Sequence, residues 1–426
     1  MRKLVTGIIG LTLVFLIMQA HTVWAVGNIK IGLIEVHPSI TEQGMWDSNI
    51  DLNAGTGPAE EERSDFINII SPAVTFNLNK PLLNVSLGVL VDVVRYMDYD
   101  ENDATNYRID FLSRYGELGK SGLFFKVRDS FADQTDPYAQ ADETGLIDPR
   151  YRSGEAVDYK SNTAGVEVGY GIGGLYSIHL SYTNNWLKYD SVRDEDSNKR
   201  EHVIGTALYY KVMPKTFAKI GYAYSIREFF DYQTESRLNP GTFPADIGKD
   251  SKSHDVTLGL VWDQTEKLNG EVNVGYRWQR YDNRLDNFEN PLKDFNTWTV
   301  GVGLGWLPRP RTLVNFTAIK GEVDSVDDLY YSYDQLLVGI DVRQTVVHKL
   351  VINVGGDYEI DDYNSDVTSR EKEFNIYRLS AGFDYQIMDW LSAGVAYTFK
   401  ELSANSEWPG EEYTDHITMF KITGSL

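Results

Sequence analysis

The chain has 426 residues, no cysteine and a formal net charge of −22. Without cysteine there is neither a disulfide framework nor thiol chemistry. The acidic excess argues against nucleic acid as a partner, because phosphate binding uses basic patches. Aromatic residues make up 13% of the chain, which suits a protein with aromatic girdles at two membrane interfaces.

The first 25 residues have the features of a secretory signal peptide. Arg2 and Lys3 provide the positive start, and residues 4–18 form a mostly apolar core. This core is shorter than the roughly 20 residues that a spanning helix needs, so we expect cleavage after Ala25 rather than a membrane anchor. Residues 26–426 are expected to form a single domain.

From residue 34 onward, apolar and polar residues alternate in stretches of ten to sixteen residues. A period of two places one set of side chains on each face of a strand. In one stretch, for example, Ile178 and Leu180 share a face opposite His179. The pattern predicts eighteen strands, near 34–50, 64–78, 82–97, 104–117, 122–133, 159–171, 174–189, 201–212, 216–231, 254–264, 270–284, 294–306, 311–323, 331–344, 349–362, 372–387, 390–402 and 414–426.

The gaps between these strands are alternately short and long. Outer-membrane barrels have short periplasmic turns, longer external loops and an even number of strands. The sequence therefore predicts an all-β fold, a transmembrane antiparallel up-and-down β-barrel of about eighteen strands in a Gram-negative outer membrane. The rivals are a soluble sandwich, which would need a linker between two domains, and a propeller, which would need a repeat of roughly 40–50 residues. Neither feature is visible.

The same alternation assigns charged side chains to the lumen. If the apolar set faces lipid, residues of both signs face inward. They can form a network of paired charges that stiffens the wall, or a lining that selects an anionic solute through arginine contacts. Both interpretations stay open for the candidate lumen-lining residues, which are Arg108, Lys126, Arg128, Arg227, Arg277, Arg343, Arg378, Asp341, Asp357 and Asp384.

Catalytic and metal-binding signals are weak. His179 lies between Ser177 and Ser181 on a predicted inward face, but a catalytic site needs a nucleophile, a base and an orienting group within reach. The acidic pair Asp194 and Asp196 lacks the glycine and glutamate that a calcium loop places after such residues. We expect no enzyme activity, no cofactor and no metal site.

Three short motifs near the N-terminus carry a resemblance to a known family. They are His37-Pro38-Ser39-Ile40, Trp46-Asp47-Ser48-Asn49-Ile50, and Ser64-Asp65-Phe66-Ile67 followed by Ser71-Pro72-Ala73. These motifs resemble the opening strands of the putative beta-barrel porin type 2 family, although Ala73 stands where that family often has glycine. The strand number is also similar to that of the alginate export porin. The resemblance implies an outer-membrane barrel linked to exopolysaccharide secretion.

Transport is the leading functional hypothesis, because barrels of 16 to 18 strands leave an aqueous channel. We expect passive export of an exopolysaccharide or related solute. The alternatives are a general diffusion porin for small solutes and a surface scaffold or adhesin with a plugged lumen. The links 134–158 and 232–253 are long enough to form a lid. Expected partners are outer-membrane lipid and lipopolysaccharide, the barrel assembly machinery, polysaccharide and periplasmic secretion proteins.

Overall fold

The computed structural model describes residues 29–52, 62–136, 157–190, 198–230, 248–262, 267–285, 291–324, 330–365, 371–405 and 412–425. The predicted signal peptide lies outside these ranges, as do the central parts of the two long links that were expected to form a lid. In the ranges that are described, no helix is long and apolar enough to cross a membrane.

Nineteen antiparallel strands form one sheet. The strands are β1 (Ile29–Ile31), β2 (Ile34–Asp47), β3 (Asp65–Asn79), β4 (Leu83–Tyr96), β5 (Ala104–Tyr115), β6 (Gly122–Asp136), β7 (Val157–Ile172), β8 (Tyr176–Tyr189), β9 (Lys199–Met213), β10 (Thr216–Phe229), β11 (Ser251–Trp262), β12 (Leu268–Tyr281), β13 (Phe295–Arg309), β14 (Thr312–Asp324), β15 (Ser332–Val347), β16 (Leu350–Asn364), β17 (Glu373–Met388), β18 (Leu391–Ala404) and β19 (Tyr413–Ser425). A short 3-10 helix at Asp100–Asn102 precedes β5.

The sheet is a closed barrel of eighteen strands. Strands β2 to β19 pair in chain order, and β19 pairs back onto β2. All eighteen predicted strands are confirmed, with ends that differ by a few residues. Strand β1 was not predicted, because three residues are too few to show alternation. It forms a tight hairpin with β2, in which Gly32 takes a positive φ of 64°.

The two faces of the strands have opposite character. Ile178 and Leu180 point outward and are 49% and 62% exposed, whereas His179 between them points inward and is only 5% exposed. Large exposed apolar side chains are unusual on a soluble protein when they form a continuous surface. Here they form the surface that faces lipid, which is how a barrel of alternating sequence is stabilised in a membrane.

The buried apolar side chains cluster at the barrel end that carries the long links. One cluster includes Met45, Ile67 and Tyr96 on β2 to β4. The other includes Tyr363 and Phe374 on β16 and β17. Below these clusters, the inward residues are mainly polar and charged, so the middle of the barrel is where a solute would meet the wall.

Candidate functional site in the barrel lumen

All ten candidate residues occupy inward positions. The strand register shows this directly, because cross-strand partners lie on one face of the sheet. Arg227 is opposite Glu201, Arg277 is opposite Asp255, and Arg378 is opposite Asp357.

Most of the inward arginines are paired with carboxylates. Arg227 lies 3.0 Å from Glu201, and Arg277 lies 2.7 Å from Asp255. Arg378 contacts two acids, with nitrogen–oxygen distances of 2.6 Å to Asp357 and 2.7 Å to Glu359. Two further pairs are Arg108 with Asp110 at 3.0 Å and Asp384 with Lys421 at 2.8 Å. For these residues, the geometry agrees with the interpretation that paired charges stiffen the barrel wall.

Three inward cations on β5 and β6 are different. Lys126 and Arg128 form no ion pair or side-chain hydrogen bond with any described residue, and the same holds for Arg114, which the sequence analysis did not single out. Arg114 is directly opposite Lys126 in the register. We call Arg114, Lys126 and Arg128 the cationic strip. Glu167 is opposite Lys126 in the register but bonds to His179 and forms no ion pair with the strip, so the charge of the strip is open to the lumen.

An acidic surface lies on the other side of the bore. We call it the acidic wall, and it comprises Asp341, Asp357 and Asp384 together with the buried Glu359 and Asp361 on β15 to β17. In the ring of eighteen strands, β6 and β15 are nine strands apart in either direction, so they face each other. Arg128 and Asp341 are each six residues from the short-turn end of their strand. The cationic strip therefore faces the acidic wall at a similar height, and charge separation of this kind sets up a field across the bore.

A recess of about 360 Å³ opens beside the cationic strip. Lys126 and Arg128 line one side of it, and Gly165, Gly205 and Gly221 line its floor. These glycines stand at inward positions on β7, β9 and β10, where any larger side chain would fill the space. The recess is thus large enough for several water molecules or a small solute group next to two cations.

Glu167 at the edge of the recess is held in place by His179. The imidazole Nδ1 lies 2.5 Å from Glu167 Oε1, and its ring packs between Phe124 and Tyr209 at centroid distances of 5.0 Å and 4.8 Å. Among the described residues, no serine hydroxyl hydrogen-bonds to the His179 ring. The arrangement therefore positions a carboxylate and does not form the nucleophile–base pair of a hydrolase.

Metal-ligand geometry is also missing from the part of the chain that is described. No group of three or more histidine, aspartate or glutamate side chains there could hold a metal ion. The acidic pair Asp194 and Asp196 lies outside the described residues.

Several solved structures match the chain over most of its length. The chain is 10% identical to Pseudomonas aeruginosa OccK3 (OpdO), covering 92% of this chain and 95% of that one with a TM-score of 0.44. It is 9% identical to P. aeruginosa OccK2 (OpdF), with 92% of this chain and 98% of that one covered and a TM-score of 0.44. It is 10% identical to the P. aeruginosa ferric enterobactin receptor PfeA, with 92% of this chain and 81% of that one covered and a TM-score of 0.43. At this similarity no property of these proteins is carried over. No curated protein matches the chain.

The family match covers the entire barrel. Residues 24–425 match the family described as Putative beta-barrel porin 2, and this range includes all nineteen strands. The outward apolar face, the polar lumen and the closed antiparallel ring are the properties of an outer-membrane channel. The chain belongs to the Putative beta-barrel porin 2 family and is a porin-like β-barrel of the outer membrane.

Proposed function

We propose that the protein is a passive diffusion channel for small hydrated solutes, in which anions pass along the cationic strip. The observation that carries this proposal is the contrast between the strip and the inward arginines that are paired; Arg343, which contacts no described acid either, lies among the acids of the acidic wall. Arg227, Arg277 and Arg378 are each in contact with a carboxylate, whereas the strip is free to attract a solute.

The geometry suits weak and repeated contacts rather than tight binding. A guanidinium contacts a carboxylate or phosphate through two parallel hydrogen bonds, while a lysine acts as a point charge. Conduction requires sites that attract a solute and still release it. Arg128 is exposed to the lumen, so water competes for its hydrogen bonds and an anion bound there is able to leave.

Export of an exopolysaccharide rests on the family resemblance alone. A long acidic polymer that fills the bore would meet the acidic wall as well as the cationic strip, and like charges repel. Small solutes can follow one wall and avoid the other. The mixed-charge lumen therefore favours the diffusion porin over the polymer exporter, and it also gives the scaffold alternative no specific support.

Single-channel recording on the refolded protein in planar bilayers tests the proposal. Under a potassium chloride gradient, the reversal potential reports the preference for chloride over potassium. We expect an anion preference that is lost in the triple variant R114Q/K126Q/R128Q. The matched control is E201Q/R227Q, which removes one paired cation and its acid together and keeps the net charge of the lumen constant.

Two results would overturn the proposal. One is an unchanged reversal potential in the triple variant, since the strip would then have no contact with the ion path. The other is a folded barrel that conducts no ions, which would favour a polymer exporter that is closed at rest or the surface scaffold.

A further inference from the structure

A polar pocket interrupts the outward face of the barrel on β7 to β9. It has a volume of about 320 Å³ and is lined by Asn162, Tyr182, Asn184, Trp186, Arg200 and His202, which we call the outer pocket. All six side chains point outward, because they alternate along their strands with inward residues. Asn162, Trp186 and Arg200 are cross-strand partners and so share this face. The pocket therefore faces away from the lumen and is separate from the recess.

Its position along the strands is close to the end that carries the long links. Arg200 is the second residue of β9, and Trp186 is three residues before the end of β8. Lower on the same face of β8, Ile178 and Leu180 are apolar and highly exposed. Side-chain amides facing hydrocarbon would lose hydrogen bonds to water without compensation. The outer pocket thus lies at the height where a lipid headgroup, and not an acyl chain, meets the barrel.

Hydrogen bonds inside the pocket fix which of its groups can donate. The Asn184 amide nitrogen is 3.2 Å from His202 Nδ1, and the Tyr182 hydroxyl is 2.8 Å from the same atom. An amide nitrogen can only donate, which favours the tautomer in which Nδ1 accepts and the other ring nitrogen, Nε2, carries the proton. The His202 ring therefore keeps one N–H donor for a further partner.

Arg200 and Asn162 complete the pocket. The Arg200 guanidinium lies over the ring of Phe230, 5.7 Å from its centroid, and among the described residues it forms no ion pair, even with Glu228 across the register. Asn162 Nδ2 donates to Asp129 Oδ1 at 2.7 Å. Asp129 itself does not line the pocket, and Arg200 is the cation among the six lining residues.

We propose that the outer pocket binds the phosphorylated sugar headgroup of an outer-leaflet glycolipid. The Trp186 indole offers a flat apolar surface for a sugar ring. The Asn184 Oδ1 atom can accept a hydrogen bond from a hydroxyl group, and the His202 N–H can donate one. Arg200 offers charge-assisted hydrogen bonds to a phosphate. The proposal rests on the orientation of the strands in the outer membrane and is independent of what passes through the lumen.

Two other sites on the outward face show what is specific to this pocket. Tyr222 and Tyr397 also pair with histidines, with oxygen–nitrogen distances of 2.8 Å to His254 and 2.7 Å to His416. Near the first of these, Lys252 is paired with Asp282 at 2.8 Å. A tyrosine–histidine pair alone therefore recurs around the barrel. The outer pocket adds the amides and a cation that no acid neutralises by contact.

The test uses the full chain refolded in detergent and titrated with purified bisphosphorylated lipid A, with bound lipid counted by native mass spectrometry. We expect N184L/R200L to bind about tenfold more weakly than the parent, since the loss of one charge-assisted hydrogen bond is enough for such a change. The matched control is K252L, at the second residue of β11, which we expect to bind like the parent. Lipid A without phosphates should bind the parent as weakly as lipid A binds N184L/R200L.

Equal binding of lipid A by N184L/R200L and by K252L would overturn the proposal. The resistance of both variants to SDS at room temperature checks that they are folded. A second copy of the chain is the other conceivable occupant. If the parent dimerises without lipid and N184L/R200L does not, the pocket is an interface between barrels and the glycolipid proposal is wrong.

Discussion

The Nε atom of Arg378 on β17 lies 2.6 Å from Oδ2 of Asp357 on β16. A second nitrogen of the same guanidinium lies 2.7 Å from Glu359. One arginine thus bridges two carboxylates of the acidic wall, and its charge stabilises the wall more than it acts on a solute.

Replacing Arg378 with leucine should destabilise the barrel. Asp357 and Glu359 would be left without their cation, and we expect a loss of about 1 to 3 kcal/mol in the free energy of unfolding, below the range for fully buried pairs because water reaches this site. Urea unfolding of the refolded barrel in lipid vesicles measures it. R343L is the matched control, since Arg343 is inward on the same wall and contacts no described acid. Equal losses in the two variants would contradict the prediction.

Replacing Asp341 with asparagine should increase the preference for anions. Asp341 forms no ion pair or hydrogen bond with a described residue, so its charge acts on the lumen, and its removal weakens the acidic wall that faces the cationic strip. The reversal potential under a salt gradient should move in the direction opposite to that of R114Q/K126Q/R128Q. D129N is the control because Asp129 points outward, and an equal shift in that variant would show that the effect is only one of net charge.

Replacing Gly169 with alanine should disturb the contact between His179 and Glu167. A Cβ atom at position 169 would lie 2.8 Å from the His179 ring, and the ring has little room to move between Phe124 and Tyr209. We expect a cost of about 1 to 3 kcal/mol in unfolding free energy, as for other overpacked sites. Gly303 is a matched inward glycine with nothing within 4 Å of its added Cβ. G303A should be neutral or slightly stabilising, and a comparable loss there would refute the steric explanation.

A cysteine pair can test the seam where the barrel closes. Thr41 on β2 is directly opposite Thr423 on β19, and their hydroxyl oxygens are 3.0 Å apart. The chain has no native cysteine, so T41C/T423C should form one disulfide on oxidation when the barrel is folded. Gel mobility with and without reductant reports it. T41C/T398C, with the second cysteine on another strand, should stay unlinked, and cross-linking in that control would indicate an open or misregistered sheet.

The strands and the two faces could be predicted from the sequence because alternation with a period of two is a local property. The ion-pair partners of the inward charged residues could not be predicted in this way. Arg277 contacts Asp255, 22 positions earlier, and this contact depends on the register between β11 and β12, which the sequence does not state. Arg114 was overlooked although it shares its face with Arg108. What sets it apart is the lack of an acid beside it, and this is visible only once the neighbouring strands are placed.

The outer pocket could not be predicted from the sequence for a related reason. Asn162, Asn184 and His202 look like ordinary polar residues near strand ends when each strand is considered alone. Their meeting on one outward patch follows from the alignment of three strands. The resemblance to the porin family was confirmed by a match over nearly the full length, whereas the solute stays a proposal because it depends on side-chain charges that neither strand pattern nor family determines.

The closure of β19 onto β2 has a consequence for how the chain reaches its folded state. Every other pairing in the ring joins strands that are neighbours in the chain, so each can form across a single turn or loop. The Thr41–Thr423 contact instead spans 382 positions. The entropy cost of loop closure is therefore concentrated in one late event. Until that event occurs, the growing sheet has two unpaired edges that could join other chains, so the barrel depends on a protected environment until its last strand is in place.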